Sequence, residues 1–148
     1  MSARTKSRKR ALDVLFSADV RGDALEDALV REEARARSTP ERASSWPYAR
    51  EIVEGVREHA TEIDERISTH ASGWTLDRMP AVDRAILRIG VWELGHNPEV
   101  PIGVAIDEAV EAAKELSTDD SPRFVNGVLS AIARDVRPAD QHDPAQPS

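Results

Sequence analysis

The sequence predicts an all-α protein of two small helical bundles that lie side by side, with about six to seven helices in total. Three stretches carry apolar residues at steps of three and four, namely residues 52–67, residues 81–94 and Ile102–Leu116. This spacing places the apolar side chains on one face of a helix. The chain shows no strict alternation of apolar and polar residues, which is the pattern typical of strands.

The first bundle is predicted over about residues 4–73 and contains three helices. The first helix covers about residues 4–20, and a glycine follows it where a left-handed cap is expected. The second helix begins near residue 24, because an aspartate and a glutamate have the spacing of a capping box there. Residues 38–46 are predicted to form a loop. The third and longest helix then covers about residues 48–71.

The second bundle is predicted over about residues 74–137, and prolines mark the start of each of its three helices. Pro80, Pro101 and Pro122 all precede or begin a helical pattern, and proline is favoured in the first turn of a helix. Residues 138–148 contain three prolines and no apolar periodicity. We therefore expect one domain over residues 1–137, followed by a disordered tail.

The composition excludes several classes of protein. A chain of 148 residues can bury a core without disulfides or metal. The absence of cysteine excludes a disulfide framework, a thiolate metal site and a cysteine nucleophile. No apolar run approaches the roughly 20 residues that span a bilayer, and no signal peptide pattern is present. We expect a soluble cytoplasmic protein without a membrane partner.

The charge is distributed unevenly along the chain. With 20 basic and 27 acidic residues the formal net charge is −7, which on average disfavours polyanion binding. The first ten residues nevertheless contain five basic residues and no acidic one: Arg4, Lys6, Arg8, Lys9 and Arg10. These side chains can neutralise the phosphates of a nucleic acid. A solvated helix end is the alternative interpretation.

Two phenylalanines are candidate stacking residues. Arg8 and Phe16 share an edge of the predicted first helix, about 12 Å apart along its axis. Phe124 lies next to Arg123 in the first turn of the last helix, where backbone N–H groups can meet a phosphate. Single-stranded RNA is typically bound by basic side chains together with aromatic faces that stack on bases. Packing of both rings in the core is the alternative.

No pattern in the sequence indicates an enzyme, a metal site or a cofactor. Four carboxylates at helical spacing could perform acid–base chemistry, but the lysine among them is typical of a solvated helix face. These residues are Asp107, Glu108, Glu111, Lys114 and Glu115. The histidines are scattered and form no known catalytic or metal-binding motif; they are His59, His70, His96 and His142.

Four segments of the second bundle carry a resemblance to a known family. They read Asp-Arg-Ala-Ile-Leu-Arg-Ile (83–89), Val-Pro (100–101), Asp-Glu-Ala-Val-Glu-Ala-Ala-Lys (107–114) and Arg-Phe-Val-Asn-Gly-Val-Leu (123–129). Together with the basic amino terminus, they resemble the NusB family of transcription antitermination factors over most of residues 4–136. The Phe-Val-Asn-Gly-Val-Leu segment is the most specific part. We interpret its Asn126 and Gly127 as structural, with the glycine allowing close approach of another helix and Asn126 bonding a neighbouring loop.

The resemblance implies a non-enzymatic RNA-binding adaptor. Such a protein binds boxA-type single-stranded RNA with the ribosomal protein NusE and helps RNA polymerase to read through terminators in ribosomal RNA operons. The family's RNA-binding positions carry over to Arg4, Lys6, Arg8, Phe16, Asp120, Arg123 and Phe124. Asp83 matches the family's contact with NusE. The family often has Tyr in place of Phe16 and His in place of Pro122, so stacking is retained while a hydrogen bond is lost.

A protein-binding or homodimeric helical module without intrinsic RNA recognition is the competing hypothesis. Trp46, Trp74 and Trp92 are candidates for its interface, because tryptophan is enriched at binding hot spots. NusB-like domains also precede ribosomal RNA cytosine methyltransferases. We expect this chain to be no such enzyme, since it ends before a methyltransferase domain could begin.

Overall fold

The computed structural model describes residues 2–138 and confirms an all-α fold, with no strand in that part of the chain. The residues form eight α-helices, together with one short 3-10 helix at Leu76–Arg78. The α-helices are α1 Ala3–Arg21, α2 Leu25–Ser38, α3 Pro40–Ala43, α4 Trp46–Glu58, α5 Ala60–His70, α6 Ala81–His96, α7 Ile102–Leu116 and α8 Ser121–Val136. None of these helices is long and apolar enough to cross a membrane.

The first helix begins and ends where the sequence predicts. The Ser2 side chain accepts a hydrogen bond from the Thr5 backbone N–H, which caps the start of α1. Gly22 has a φ of 72°, a left-handed conformation that glycine adopts without strain. The N–H of Asp23 then bonds the carbonyl of Ala18 at 2.9 Å, so the last turn of α1 is closed by a C-terminal cap.

The prediction of one long helix over residues 48–71 is wrong, because the helix is interrupted at His59. His59 has φ −112° and ψ 24°, which ends α4 and begins α5. Ile52 and Val56 before the break, and Ile63 and Ile67 after it, are all buried. The apolar spacing therefore predicted the buried face correctly, but it contains no information about one non-helical residue. The predicted loop before this helix also contains the single turn of α3.

Helix α6 is the central element of the core. It packs against helices from both predicted bundles, namely α1, α4, α5, α7 and α8. Two glycines allow this close packing. A Cβ added to Gly55 would lie 1.9 Å from Nε1 of Trp92, and one added to Gly90 would lie 2.7 Å from Cδ1 of Leu129. A side chain at either position would therefore push α6 away from α4 or from α8.

Gly127 does not have the packing role that we predicted. It lies exposed on α8, and a Cβ added to it would have no neighbour within 4 Å. Asn126 is also exposed, and it accepts a hydrogen bond from Ser130 of its own helix at 3.3 Å rather than binding a loop. The close approach occurs two residues later, where Leu129 lies over Gly90.

Arg137 joins the end of α8 to the end of α6. Its guanidinium donates hydrogen bonds of 2.7–2.9 Å to four backbone carbonyls, those of Glu93, Leu94, Asn97 and Val100. The last carbonyls of a helix have no hydrogen-bond partner within the helix, so the Arg137 side chain supplies donors to the carbonyls at the end of α6. The predicted disordered tail from Pro138 onward lies, apart from Pro138, outside the described residues.

Candidate nucleic-acid interface

Ion pairs fix the direction of α1 on the rest of the protein. Lys9 Nζ lies 2.8 Å from an oxygen of Glu115, near the end of α7. Farther along α1, the Asp19 carboxylate accepts a 2.7 Å hydrogen bond from Nε of Arg84, near the start of α6. Helix α1 thus runs opposite to α6, because Arg8, earlier in α1, contacts Glu93 near the end of α6. It runs in the same direction as α7, because Thr5, before Lys9, bonds Glu108, before Glu115. The carboxyl end of α1, with Phe16, lies at the same end of the molecule as the turn between α7 and α8.

The amino end of α1 presents two of the predicted cations to solvent. The side chain of Arg4 is 46% exposed, and its guanidinium carbon lies 4.0 Å from the centre of the Tyr48 ring. A carboxylate oxygen of Glu99 is 3.9 Å away, which is a weak ion pair at an exposed position. Lys6 is exposed and has no ion pair among residues 2–138. Arg4 and Lys6 are therefore accessible to an anion.

The structure does not bring Arg8 to this surface. Arg8 is only 8% exposed, and its Nε lies 3.0 and 2.9 Å from the two carboxylate oxygens of Glu93. Its Nη1 also donates to Glu108 at 3.2 Å. A guanidinium held by two carboxylates inside the protein is not available to a phosphate. The shared edge that we predicted for Arg8 and Phe16 thus does not form a common binding surface.

Glu93 is the centre of a buried polar cluster that the sequence did not reveal. Besides Arg8, it accepts a hydrogen bond from the Tyr48 hydroxyl, which in turn accepts one from Asn97 at 3.1 Å. Burial raises the pKa of Glu93 above its ordinary value, although the hydrogen bond from Tyr48 and the charge of Arg8 lower it. The pKa of Tyr48 is also raised, first by burial and then by the neighbouring carboxylate. The only signal in the sequence was a glutamate inside an apolar run.

The two candidate stacking rings are partly buried. Phe16 and Phe124 both pack against the core without being fully enclosed. Phe124 also contacts Trp74, with ring centres 6.1 Å apart and planes tilted by 49°. Trp74 is 49% exposed, whereas Trp46 and Trp92 are buried. Trp74 and Phe124 thus form a small aromatic surface at the start of α8, and the other two tryptophans are unavailable to a partner.

The buried Asp83 holds the turn between α7 and α8 through hydrogen bonds. This residue is 3% exposed, and its carboxylate accepts hydrogen bonds from Ser117 at 2.5 Å and from Ser121 at 2.9 Å. The structure therefore does not place Asp83 on a surface that a partner could contact, in contrast to the assignment made from the resemblance. Asp83 instead fixes the geometry of the turn that carries Asp120 and Arg123.

Asp120 and Arg123, at the start of α8, are both exposed. Asp120 occupies the cap position of α8, but its side chain makes no capping hydrogen bond and is exposed. Arg123 is exposed and has no ion pair within residues 2–138. One free carboxylate and one free guanidinium thus flank the aromatic surface formed by Trp74 and Phe124.

Comparison with known proteins identifies the family. The model of the NusB family matches residues 5–134, which includes most of α1, the turn before α8 and nearly all of α8. The chain belongs to the NusB family. The transcription antitermination protein NusB of Leifsonia xyli subsp. xyli (strain CTCB07) is 68% identical over 134 residues, covering 90% of this chain and 93% of the relative. The family is therefore established by sequence alone.

Solved NusB structures have the same architecture. The structure of T. maritima NusB is 34% identical, has a TM-score of 0.79, and covers 93% of this chain and 96% of its own. A crystal structure of the antitermination factors NusB and NusE in complex with double-stranded RNA is 30% identical, with a TM-score of 0.73, and covers 91% and 98%. The fold predicted for a NusB-family protein is thus confirmed.

Proposed function

We propose that this NusB-family chain is a non-enzymatic adaptor that binds boxA-type single-stranded RNA together with the ribosomal protein NusE. In this role it would act in the cytoplasm, within the antitermination complex of RNA polymerase on ribosomal RNA operons. The observations that carry the proposal are the two exposed cations at the amino end of α1, Arg4 and Lys6, and the partly buried rings of Phe16 and Phe124. The solved complex of a NusB with NusE and RNA supports it.

The cations and the rings would have separate roles. Arg4 and Lys6 would contact phosphates at the amino end of α1, where they neutralise charge without reading sequence. Phe16 lies about 18 Å farther along the helix by the 1.5 Å rise per residue. It would stack on an unpaired base, as would Phe124 beside the turn. The RNA strand would thus follow α1 toward the start of α8.

The turn before α8 would read the bases. Arg123 would contact a phosphate beside Phe124, near the free backbone N–H groups of the first turn of α8. The free carboxylate of Asp120 would repel a phosphate, but it can accept a hydrogen bond from the amino group of a base such as cytosine. Asp83 would act indirectly, by holding this turn, and Arg8 would position α1 through Glu93.

The acidic body of the protein suits a basic partner. The formal charge of −7 includes the five basic residues at the amino end, so the rest of the chain is more acidic still. Complementary fields accelerate the encounter of two proteins and disfavour wrong partners. A basic ribosomal protein such as NusE would therefore dock on the acidic surface, away from the cations that hold RNA.

Fluorescence anisotropy of a labelled boxA RNA, with a scrambled RNA for comparison, tests this function. At one fixed salt concentration we expect tighter binding of boxA, and a further increase when NusE is added. Equal weak binding of both RNAs, unchanged by NusE, would show that the basic end of α1 is only a solvated helix end.

Removing the two accessible cations should change the salt dependence of binding. For single strands, the slope of log affinity against log salt is about −0.7 per phosphate neutralised. The double variant Arg4→Ala/Lys6→Ala should therefore flatten the slope by about 1.4 if each cation contacts one phosphate. Arg57→Ala is the matched control, because this partly exposed arginine lies on α4 and pairs with Glu26. An equal effect of the control would contradict the assignment.

Replacing one ring separates stacking from packing. Phe124→Leu keeps an apolar side chain against the core but removes the aromatic face. Stacking of a base on an aromatic ring is worth about 1–3 kcal/mol, so we expect RNA affinity to fall about 5- to 150-fold. The melting temperature measured by circular dichroism provides the control. RNA binding at the wild-type level by a folded Phe124→Leu would exclude Phe124 as a stacking residue.

Self-association through the aromatic surface is a second candidate function, favoured by the exposure of Trp74. A dimer that closes over Trp74 would also cover Phe124, since the two rings are in contact. Dimerisation and RNA binding would then compete. Light scattering after size exclusion, with and without boxA RNA, distinguishes them: a dimer that RNA dissociates supports competition, and a monomer in both samples excludes this candidate.

A further inference from the structure

The break between α4 and α5 brings together three potential metal ligands that are scattered in the sequence. They are His59, Glu62 and His96, and one ligating atom of each lies within 4.8 Å of the others. Nε2 of His96 is 2.9 and 3.2 Å from the two carboxylate oxygens of Glu62. The imidazole rings of His59 and His96 are stacked, with centres 3.7 Å apart and planes 11° apart.

Each ligand is held by a defined position in a helix. His59 is the non-helical residue between α4 and α5, Glu62 lies in the first turn of α5, and His96 is the last residue of α6. None of the three is buried, so an ion can enter from solvent. The site therefore links the two predicted bundles at a point where the backbone is fixed by the helices around it.

The position also favours a positive charge. Helices α4 and α6 both end at this site, at His59 and His96. The carboxyl end of a helix carries a partial negative charge, which attracts a cation. The positive end of the shorter α5 opposes this effect, but Glu62 in its first turn supplies a full negative charge.

We propose that His59, Glu62 and His96 bind a divalent transition metal ion, with Zn²⁺ as the best match. Two imidazoles and one carboxylate form a ligand set that zinc accepts, leaving the fourth position for water. Mg²⁺ and Ca²⁺ prefer oxygen ligands and do not suit a site with two imidazoles.

Binding requires a defined local movement. A metal must lie near the plane of each imidazole that it binds, so two parallel stacked rings cannot both bind one ion. The rings would have to rotate from stacked to splayed. In a tetrahedral site with bonds of about 2.1 Å the ligating atoms lie about 3.4 Å apart. The contact between His96 and Glu62 would therefore lengthen slightly, and any longer separation, which is at most 4.8 Å, would shorten. Both changes are side-chain rotations and leave the helices in place.

The same structure contains a natural control pair. His70 Nε2 lies 2.6 Å from a carboxylate oxygen of Asp135, but this pair has no third ligand among residues 2–138. A histidine and a carboxylate in contact are thus present at both places, and only the site at His59 has the second imidazole. His142 lies outside the described residues, so the test uses His142→Gln as the background.

The first measurement is a titration of the full-length, untagged, metal-free protein with Zn²⁺ by calorimetry. We expect one ion per chain and a raised melting temperature, since a ligand that binds the folded state stabilises it. Co²⁺ serves as a spectroscopic probe, with absorption bands in the visible range that report tetrahedral nitrogen and oxygen ligation. An absence of stoichiometric binding of either ion would leave a hydrogen-bonded histidine–glutamate pair only, and the proposal would be wrong.

Single substitutions then assign the ligands. Changing an outer partner of a ligand already weakens metal binding about 10- to 100-fold, so His59→Gln and His96→Gln should each weaken it at least tenfold. His70→Gln should bind as tightly as the background protein. If His70→Gln had the same effect as His96→Gln, the ion would be bound elsewhere. The Co²⁺ spectrum of the background protein decides the case if a substituted protein fails to fold.

Discussion

The buried Arg8 shows how the environment of one residue changes its role. The pKa of Glu93 is raised by burial, so its negative charge is unfavourable in the folded protein even though Arg8 and Tyr48 contact it. A buried ion pair of this kind contributes little net stability, because desolvation offsets the attraction. Removing one partner is nevertheless costly, since it leaves the other charge buried and unpaired. Arg8 is thus required by Glu93 rather than by an external ligand.

We predict that Arg8→Met lowers the free energy of unfolding by about 3–5 kcal/mol at pH 7. Without Arg8 the pKa of Glu93 should rise further, so the folded variant takes up a proton that the unfolded chain releases. This stabilising protonation is fully present below the ordinary glutamate pKa of 4.5 and is lost as the pH rises through the raised pKa. The difference in free energy of unfolding between Arg8→Met and the wild type should therefore become smaller as the pH falls. Urea unfolding at several pH values measures it.

Lys114→Met is the control for this experiment. Lys114 pairs with Glu111 on the exposed face of α7, where both side chains are more than half exposed. Such a pair contributes about 0–1 kcal/mol, so the control should differ little from the wild type at any pH. A deficit of Arg8→Met that did not change with pH would contradict the explanation based on the charge of Glu93.

At the scale of the helices, three glycines within helices differ in their packing: two lie at close helix contacts and one does not. Gly55 and Gly90 lie where α6 meets α4 and α8, and a side chain at either position would overlap Trp92 or Leu129. Gly127 is also within a helix but faces open space. The sequence favours Gly127 as the contact because it stands in the family's most specific segment. Only the three-dimensional packing distinguishes the three.

We predict opposite effects of alanine at these glycines. Gly55→Ala should destabilise the protein by at least about 1–3 kcal/mol, since a well-packed core tolerates no extra atom without rearrangement. Gly127→Ala should stabilise it by about 1 kcal/mol, because alanine is the better helix former and meets no neighbour. Chemical denaturation followed by circular dichroism measures both changes. A loss of stability in Gly127→Ala would show that the position has a packing role after all.

The helices could be predicted from the sequence because their apolar spacing and their proline and glycine boundaries are local signals. The interruption of the helix at His59 could not be predicted from the sequence, since a single non-helical residue leaves the spacing of apolar residues on either side unchanged. The burial of Arg8 and Asp83 depends on partners far away in the chain, Glu93 for the first and two serines for the second. Arg4, Lys6, Asp120 and Arg123, which the resemblance assigns to RNA binding, are exposed. Their contact with RNA stays a prediction.

At the scale of the whole molecule, the two predicted bundles share one core. The buried residues of α1 and α4 form a single cluster with those of α6, α7 and α8. Helix α6 belongs to the second bundle by sequence, but it also packs against α1 and α4 of the first. The boundary near residue 73 thus describes the order of the helices, and we expect the two bundles to unfold together rather than separately.

Leu129→Ala tests this cooperativity. Leu129 is fully buried on α8, against Gly90 of α6, so its truncation should cost about 2–5 kcal/mol. If the shared core unfolds as one unit, amide hydrogen exchange should become faster by the same factor in α4 as in α8, although α4 is part of the other bundle. Ser68→Ala, at an exposed position on α5, is the control and should change neither. Faster exchange confined to α7 and α8 would instead mean that the second bundle opens by itself, and that the turn carrying Asp120 and Arg123 can rearrange while α1 remains folded.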